Sequence, residues 1–275
     1  MTDAAERKTR LIAVSSGKGG VGKTFLSLNL SAALATRGHS VWLFDGDMGL
    51  ANVHVLLGIQ PQFDISDALE GRCTLSQTLF DGPGGIKVIP GASGKRDMAE
   101  MGTLEMTQII QSLTTLTPSA DFMLIDTGAG IGKHVTTLAR LADTIAVVVC
   151  DEPASLADAY GLIKVMYRDF GSRNFEIIVN DVSSVQRGHL VFERLQQVAM
   201  RFLELNLVLA GIVPHEAEAM MVTRRRETLM SAAPRSAATS AILEIATRFE
   251  KLKVVTDSAR FNLTLVDGAS GARSP

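Results

Sequence analysis

Two lysines and three aspartates are the residues of this chain best placed by type and spacing to do chemistry. The lysines are Lys18 and Lys23, both in "SSGKGGVGKT" (15–24), and the aspartates are Asp45, Asp47 and Asp126. The decapeptide satisfies two nucleotide-binding spacings at once. Gly17, Gly19 and Gly22 fit the G-x-G-x-x-G of dinucleotide binders, while Gly17 to Thr24 fits the G-x-x-x-x-G-K-[ST] of phosphate-binding loops. In the second pattern the glycines let backbone N–H groups turn onto phosphate oxygens at a helix N-terminus, whose partial charge favours anions. Lys23 would then reach the β- and γ-phosphates, and the Thr24 hydroxyl would ligate Mg²⁺. The dinucleotide pattern competes through Asp45, which ends the second apolar run, where a ribose-binding carboxylate would stand. It has no use for Lys23-Thr24, however, and leaves Asp126, at the end of "DFMLID", without a task. A phosphate-binding loop needs such an acid on another strand to orient Mg²⁺ and its waters. The phosphate loop is the better reading, and Lys18 is a cation that it does not require.

These residues need strands that end together. Short apolar runs rich in β-formers cover 11–16, 40–45, 86–90, 121–126, 144–150, 175–180 and 207–213. Stretches of 3.6-residue period lie between most of them, among them 24–37, 135–141 and 154–170. Near-continuous apolar strands alternating with helices imply an α/β fold: one doubly wound, mostly parallel sheet with helices on both faces. Its ligand is expected at the carboxyl ends of the strands, where the glycine-rich loop, Asp45 and Asp126 all fall. No internal repeat or linker divides the chain, and "GPGG" (82–85) reads as a turn. The expected organisation is a short polar segment at 1–10, one domain at 11–252 and an extension with a frayed tail at 253–275.

The 275 residues are 46% hydrophobic and carry a net charge of −2, which excludes wholesale disorder and any general attraction to nucleic acid. Direct nucleic-acid binding is therefore not expected. Cys73 and Cys150 lack metal-ligand spacing, and Cys150, ending "TIAVVVC", reads as a buried thiol. The first ten residues lack a signal-peptide core and no apolar run approaches 18 residues, so a cytoplasmic protein is expected.

With Lys18 included, "GKGGVGKT" resembles the deviant Walker A motif of the MinD/ParA family of ATPases. "DGDMGLANVHVLLG" (45–58) resembles that family's switch I, and "LIDTGAGIG" (124–132) its Walker B and switch II. "DALEGRCTL", "GPGGIKVIPGASG", "VVCDEPASLADAYGLIKVM" and "GIVPHEAEAM" are similar to the flagellar-number regulator branch, FlhG/FleN. The resemblance runs over 11–252. It implies a P-loop ATPase binding ATP/ADP and Mg²⁺ through Gly17, Lys18, Gly19, Gly20, Val21, Gly22, Lys23, Thr24 and Phe25. It also implies that Lys18 crosses a face-to-face, ATP-dependent homodimer to the partner's nucleotide. There a cation supplied in trans offsets charge developing on the transferred phosphoryl group. By the same resemblance Asp47 orients or activates the attacking water, Asp45 and Asp126 hold Mg²⁺ through water, and Asn180 pairs with adenine N6 and N7. Pro214, His215 and Glu216 would close the base pocket with their backbone. Gly128 stands where the branch often has alanine, which should loosen switch II slightly.

The implied partners are a flagellar master transcription activator, which the ATP dimer restrains, and the GTPase FlhF. The residues before Leu11 lack the glutamine-containing motif that stimulates FlhF, so that activity is not expected. Arg224-Arg225-Arg226 reads as a solvated helix face, with partner docking or non-specific DNA contact as alternatives. Relatives of MinD end in an amphipathic membrane helix. Here Ile242, Ile245, Ala246, Phe249 and Leu252 form one apolar face with Glu244 and Glu250 nearby, so a helix packed on the domain is expected. Phe261, Leu263 and Leu265 alternate with polar residues at the period of a strand. Peripheral contact with the inner face of the membrane or a cell pole remains the alternative, as does a partition or positioning ATPase acting on DNA or membrane.

Overall fold

A computed structural model of the chain describes residues 9–48, 53–91, 102–116, 118–217, 222 and 225–252. Eight strands form one sheet: β1 (Arg10–Ser16), β2 (Val41–Gly46), β3 (Phe80–Asp81), β4 (Lys87–Ile89), β5 (Phe122–Ala129), β6 (Thr144–Val149), β7 (Phe175–Val182) and β8 (Val208–Pro214). Their order is β3-β4-β2-β5-β1-β6-β7-β8, parallel throughout except for β3 against β4. The seven expected strands are all present. The eighth, β3, was not expected from the sequence because two residues are too few to show a period. It pairs Phe80 with Val88 and Asp81 with Lys87 across the Gly82–Gly85 turn.

Among the described residues six longer helices cover the sheet: α1 (Lys23–Thr36), α2 (Thr103–Thr114), α3 (Lys133–Leu141), α4 (Pro153–Phe170), α5 (Val185–Leu203) and α6 (Ala237–Phe249). Period-2 alternation assigns the faces. Ile12, Val14, Val41 and Leu43 point into a core shared with α1 and α6. Ala13 points toward α4 and α5, and Leu11, Trp42 and Phe44 toward α2. Ten residues of the fourteen in α1 are buried, so this helix is enclosed on almost every side, as the absence of charge between Thr24 and Thr36 requires.

The last described helix seals α1. Ser236 caps α6 by accepting the Thr239 N–H (3.1 Å), and Ile242, Ile245, Ala246 and Phe249 are buried, with Leu252 packed at the edge. Asn29 of α1 accepts the Leu229 N–H (2.7 Å), Arg37 and His39 hold Glu250, and Arg248 binds Glu176 of β7 (2.6 Å). The expected packing of this helix on the domain is found, and its apolar face is consumed by the core. No helix among the described residues is long and apolar enough to cross a membrane. Phe261, Leu263 and Leu265 lie outside the described residues, as does Arg224. Arg225 and Arg226 are exposed. Arg226, at φ 62°, lays its side chain across Gly58, where an added Cβ would come within 1.9 Å of its Nε.

Candidate functional site

β1 runs up the middle of the sheet between β5 and β6 and ends at Ser16, so its loop opens where the strands' carboxyl ends converge. Two bonds shape the loop's start: Ser16 Oγ donates to the Lys18 carbonyl (2.6 Å) and the Gly130 N–H donates to the Ser16 carbonyl (2.9 Å). Gly17 rests directly on the backbone of α4, and an added Cβ would sit 2.1 Å from the Asp158 carbonyl. Gly22, at φ 89°, delivers the chain into α1 without a side-chain cap, so the helix's first N–H groups face the loop's hollow. That geometry is a phosphate cradle. The two lysines differ in placement. Lys23 is 9% exposed on the first turn of α1, whereas the side chain of Lys18 is 38% exposed and ion-paired with Glu152.

The three aspartates gather where β2 and β5 end, with Asp126 and Asp47 beside Lys23. Asp45 and Asp126 are directly opposed on β2 and β5, and both are buried. Asp126 accepts hydrogen bonds from Ser27 Oγ (3.0 Å) and from the Thr24 hydroxyl. Asp45 accepts the Val53 N–H (2.9 Å) and, at longer range, that of Asp47 (3.4 Å), so it shapes the turn that carries Asp47. Gly128 leaves room for that side chain, since an added Cβ would meet Asp47 Oδ1 at 3.2 Å. Burial, then the charge of Asp126, pushes the Asp45 carboxyl up to about 7. Burial pushes Asp126 up to about 6, against the Thr24 hydrogen bond and the charge of Lys23. Burial lowers Lys23, against the charges of Asp126 and Asp47. Asp126 and Asp47 facing one lysine leave negative charge that a divalent cation would offset.

Among the described residues no three His, Cys, Asp or Glu side chains form a metal cluster. A hydroxyl from Thr24 beside the Asp126 carboxylate instead fits Mg²⁺, which keeps several waters and completes its shell with phosphate oxygens.

Beyond the loop opens a cavity of about 400 Å³, lined by Gly22, Phe25, Asn180, Pro214, His215 and Glu216 among others. Asn180 stands within β7 and is 6% exposed, and its Nδ2 donates to the Val21 carbonyl (2.9 Å), bracing the phosphate loop. An amide so engaged presents its oxygen, and not both its groups freely, to a base. His215 is held by Asp181 (Nδ1···Oδ1 2.6 Å), the residue that follows Asn180 at φ 57°. Cys150 also lines the cavity and is only partly buried, which corrects the expectation of a buried thiol. β6 stops at Val149, so Cys150 packs against the edge of the core with one side on the cavity.

The structure sets the glycine-rich loop and the three aspartates at the carboxyl ends of the strands, and Asn180, Pro214, His215 and Glu216 line the cavity beside that loop. Sequence reasoning did not find Ser27, Asp181 or Glu152. Ser27 had a readable signal, one helical turn after Lys23 on the same face. Asp181 and Glu152 had only their position near a strand's carboxyl end, Asp181 inside β7 and Glu152 just past β6.

Comparison with known proteins agrees with this geometry. Residues 12–229 match the family model of the CobQ/CobB/MinD/ParA nucleotide-binding domain. The chain is 40% identical to the antiactivator FleN of Pseudomonas aeruginosa, over 88% of this chain and 86% of that protein. It is 32% identical to the flagellum site-determining protein YlxH of Helicobacter pylori, over 86% and 81% respectively. The structure of the septum site-determining protein MinD of Pyrococcus horikoshii, solved with Mg-ADP, superposes with a TM-score of 0.74 at 25% identity, covering 89% of this chain and 97% of that one. The phosphate loop opening α1, the aspartates opposed across β2 and β5, and these likenesses together establish that the chain belongs to the MinD/ParA family of P-loop ATPases, in its FlhG/FleN branch.

Proposed function

We propose that this chain is an ATP-dependent dimerising switch with slow Mg²⁺-ATPase activity, and that its ATP-bound dimer limits flagellar number. The observation that carries the reading is the unequal placement of two lysines on one loop. Lys23 lies buried where it can serve only its own subunit's nucleotide, and Lys18 stands at the open rim where a second subunit can be reached. Lys23 and the N–H groups of Gly19 to Phe25 would hold the phosphates. Thr24 and Asp126 would hold Mg²⁺, with Asp45 assisting through water while it folds the turn below Asp47. When bound, Mg²⁺ would neutralise charge on the phosphate oxygens. Asp47 would orient the attacking water. Asn180 Oδ1 would accept from adenine N6, and Pro214, His215 and Glu216 would border the base. Lys18 would stabilise the transferring phosphoryl group of the partner subunit.

The names of the relatives supply the biological setting. An antiactivator restrains an activator, and the flagellar relative points to the flagellum, which supports a flagellar master transcription activator as the partner of the ATP dimer; FlhF, implied only by the resemblance of the sequence, would be a second partner. The protein would act in the cytoplasm. Any membrane contact would fall to residues outside α6, whose apolar face is already buried.

Phosphate release and light scattering with ATP and Mg²⁺ test the reading. Lys23→Ala should lose nucleotide affinity. Lys18→Ala should keep nucleotide yet neither dimerise productively nor turn over, and Asp47→Ala should dimerise without turnover. Parental dimerisation and turnover in Lys18→Ala would overturn the trans role of that lysine. Gel shifts with and without ATP separate the switch from a DNA-partition ATPase.

A further inference from the structure

Among the described residues four carboxylates reach the wall of the nucleotide cavity: Asp151, Glu152, Asp181 and Glu216. Asp181 is set apart by its backbone. Asn180 stands opposite Val213 and Val182 opposite Pro214, so Asp181 is an extra residue that breaks the register of β7 against β8. Its φ of 57° is left-handed, a conformation that few side chains other than Asn and Asp adopt. Bulges of this kind redirect a side chain. Here the carboxylate meets His215 beyond the end of β8, with Nδ1 2.6 Å from Oδ1. His215 is anchored in turn by its N–H, which donates to the Val182 carbonyl (2.8 Å). Both side chains are open to solvent, at 66% for His215 and 62% for Asp181, so their mutual bond and not core packing fixes them.

The preceding residue makes this pair relevant to base choice. Asn180 donates through Nδ2 to the Val21 carbonyl (2.9 Å), which leaves Oδ1 for a base. That oxygen can accept from the N6 amino group of adenine, but it opposes O6 of guanine. Guanine can compensate through N1–H and the N2 amino group, two adjacent donors that match both oxygens of one carboxylate. Adenine has no such pair of donors. Asp181, next to Asn180 on the same wall, is the carboxylate placed to read that edge, and His215 occupies one of its oxygens.

We propose that His215 is a specificity-determining residue that keeps the pocket selective for adenine by withholding the Asp181 carboxylate from guanine. The inference rests on the reading of this cavity as the base pocket given above. The imidazole takes one oxygen and fixes the plane of the carboxylate, so the two-bond arrangement that guanine needs is closed to it. Without the imidazole, a solvent-open carboxylate on a bulge is free to turn toward the base. Adenine asks nothing of Asp181 in either state.

The test is the ratio of the Kd values for GDP and ADP, each with Mg²⁺, read by displacement of a fluorescent ADP analogue. The proteins are the parent, His215→Ala, Asp181→Gly and the double variant. Thermal melting confirms folding, and glycine adopts the φ of residue 181 without strain. Any stacking of the imidazole on either base cancels in the ratio. The parent should prefer ADP. His215→Ala should move the ratio about tenfold toward GDP, the gain expected when an exposed carboxylate accepts two hydrogen bonds. Asp181→Gly should keep the parental ratio, and the double variant should lose the shift, as coupling through one carboxylate requires. An unchanged ratio in His215→Ala, or a shift that persists in the double variant, would overturn the role of the pair while the parent's preference for ADP left the base pocket standing. Equal parental affinity for ADP and GDP would remove the base-pocket reading and this inference with it.

Discussion

Asp45 and Asp126 occupy opposed positions on neighbouring parallel strands, both buried and both with carboxyls raised above the ordinary carboxylate range. A folded protein keeps such a pair only if something repays the burial of two acids. Here the repayment comes in parts: a backbone N–H on each oxygen of Asp45, hydroxyls on Asp126, and the Lys23 ammonium beside them.

The first prediction concerns pH. Both carboxyls titrate higher in the folded chain (about 7 and about 6) than in the unfolded chain, near 4, so between those values the folded state holds more protons. The stability they confer is complete below the unfolded value and is lost as pH rises through the folded values. The melting temperature of nucleotide- and metal-free protein should fall between pH 5.5 and pH 8. Mg²⁺-ADP should reverse the fall, since it binds the folded state alone. Asp45→Asn should flatten the slope, and a slope unchanged by that substitution would refute the assignment.

Gly17 and Gly19 should respond differently to alanine. An added methyl at Gly17 collides with the Asp158 backbone, while at Gly19 nothing lies within 4 Å. Gly17→Ala should cost about 1–3 kcal/mol as overpacking and weaken nucleotide binding. Gly19→Ala should melt within a degree or so of the parent.

Gly128→Ala places a methyl 3.2 Å from Asp47 Oδ1 without touching Lys23 or Thr24. Steady-state kinetics should show kcat reduced severalfold with little change in ADP affinity, a split that simple destabilisation does not produce. Equal losses in both would place the effect outside the position of Asp47.

Arg248→Ala removes the partner of Glu176, a carboxylate 5% exposed on β7. A fully buried pair broken this way costs about 3–5 kcal/mol, but Arg248 is 38% exposed, so about 1–2 kcal/mol is expected in urea unfolding. Arg248→Ala/Glu176→Gln should recover most of it.

The legible parts of this protein were local. The glycine spacing, the two lysines and the strand-ending Asp126 are written within a few residues of each other or at the end of a clear apolar run, so spacing alone exposes them. β1, β2 and β5 to β7 are legible for the same reason, being buried and therefore largely apolar, while β8 is an apolar run of which only Ile212 and Val213 are buried. The contacts that refine the site are distant ones. Lys18 meets Glu152, Asn180 braces Val21 and Asp181 holds His215 only because β1, β6, β7 and β8 lie side by side in that order, and no periodicity encodes which strand end faces which. β3 and the side chain of Arg226 escaped for the related reason that their placement is set by neighbours and not by their own pattern.

The enclosure of α1 also bears on the order in which the chain can mature during synthesis. The helix that carries Lys23 and Thr24 is translated early, yet the surfaces that cover it include Leu229 to Ala232 and α6, near the other end of the chain. Until those residues leave the ribosome, Leu26, Leu30 and Ala33 have no complete shelter, and Asn29 has no Leu229 N–H to accept. Nascent chains stalled before residue 229 should therefore be protease-sensitive and unable to retain nucleotide, so that ATP capture comes as one of the last events of biosynthesis.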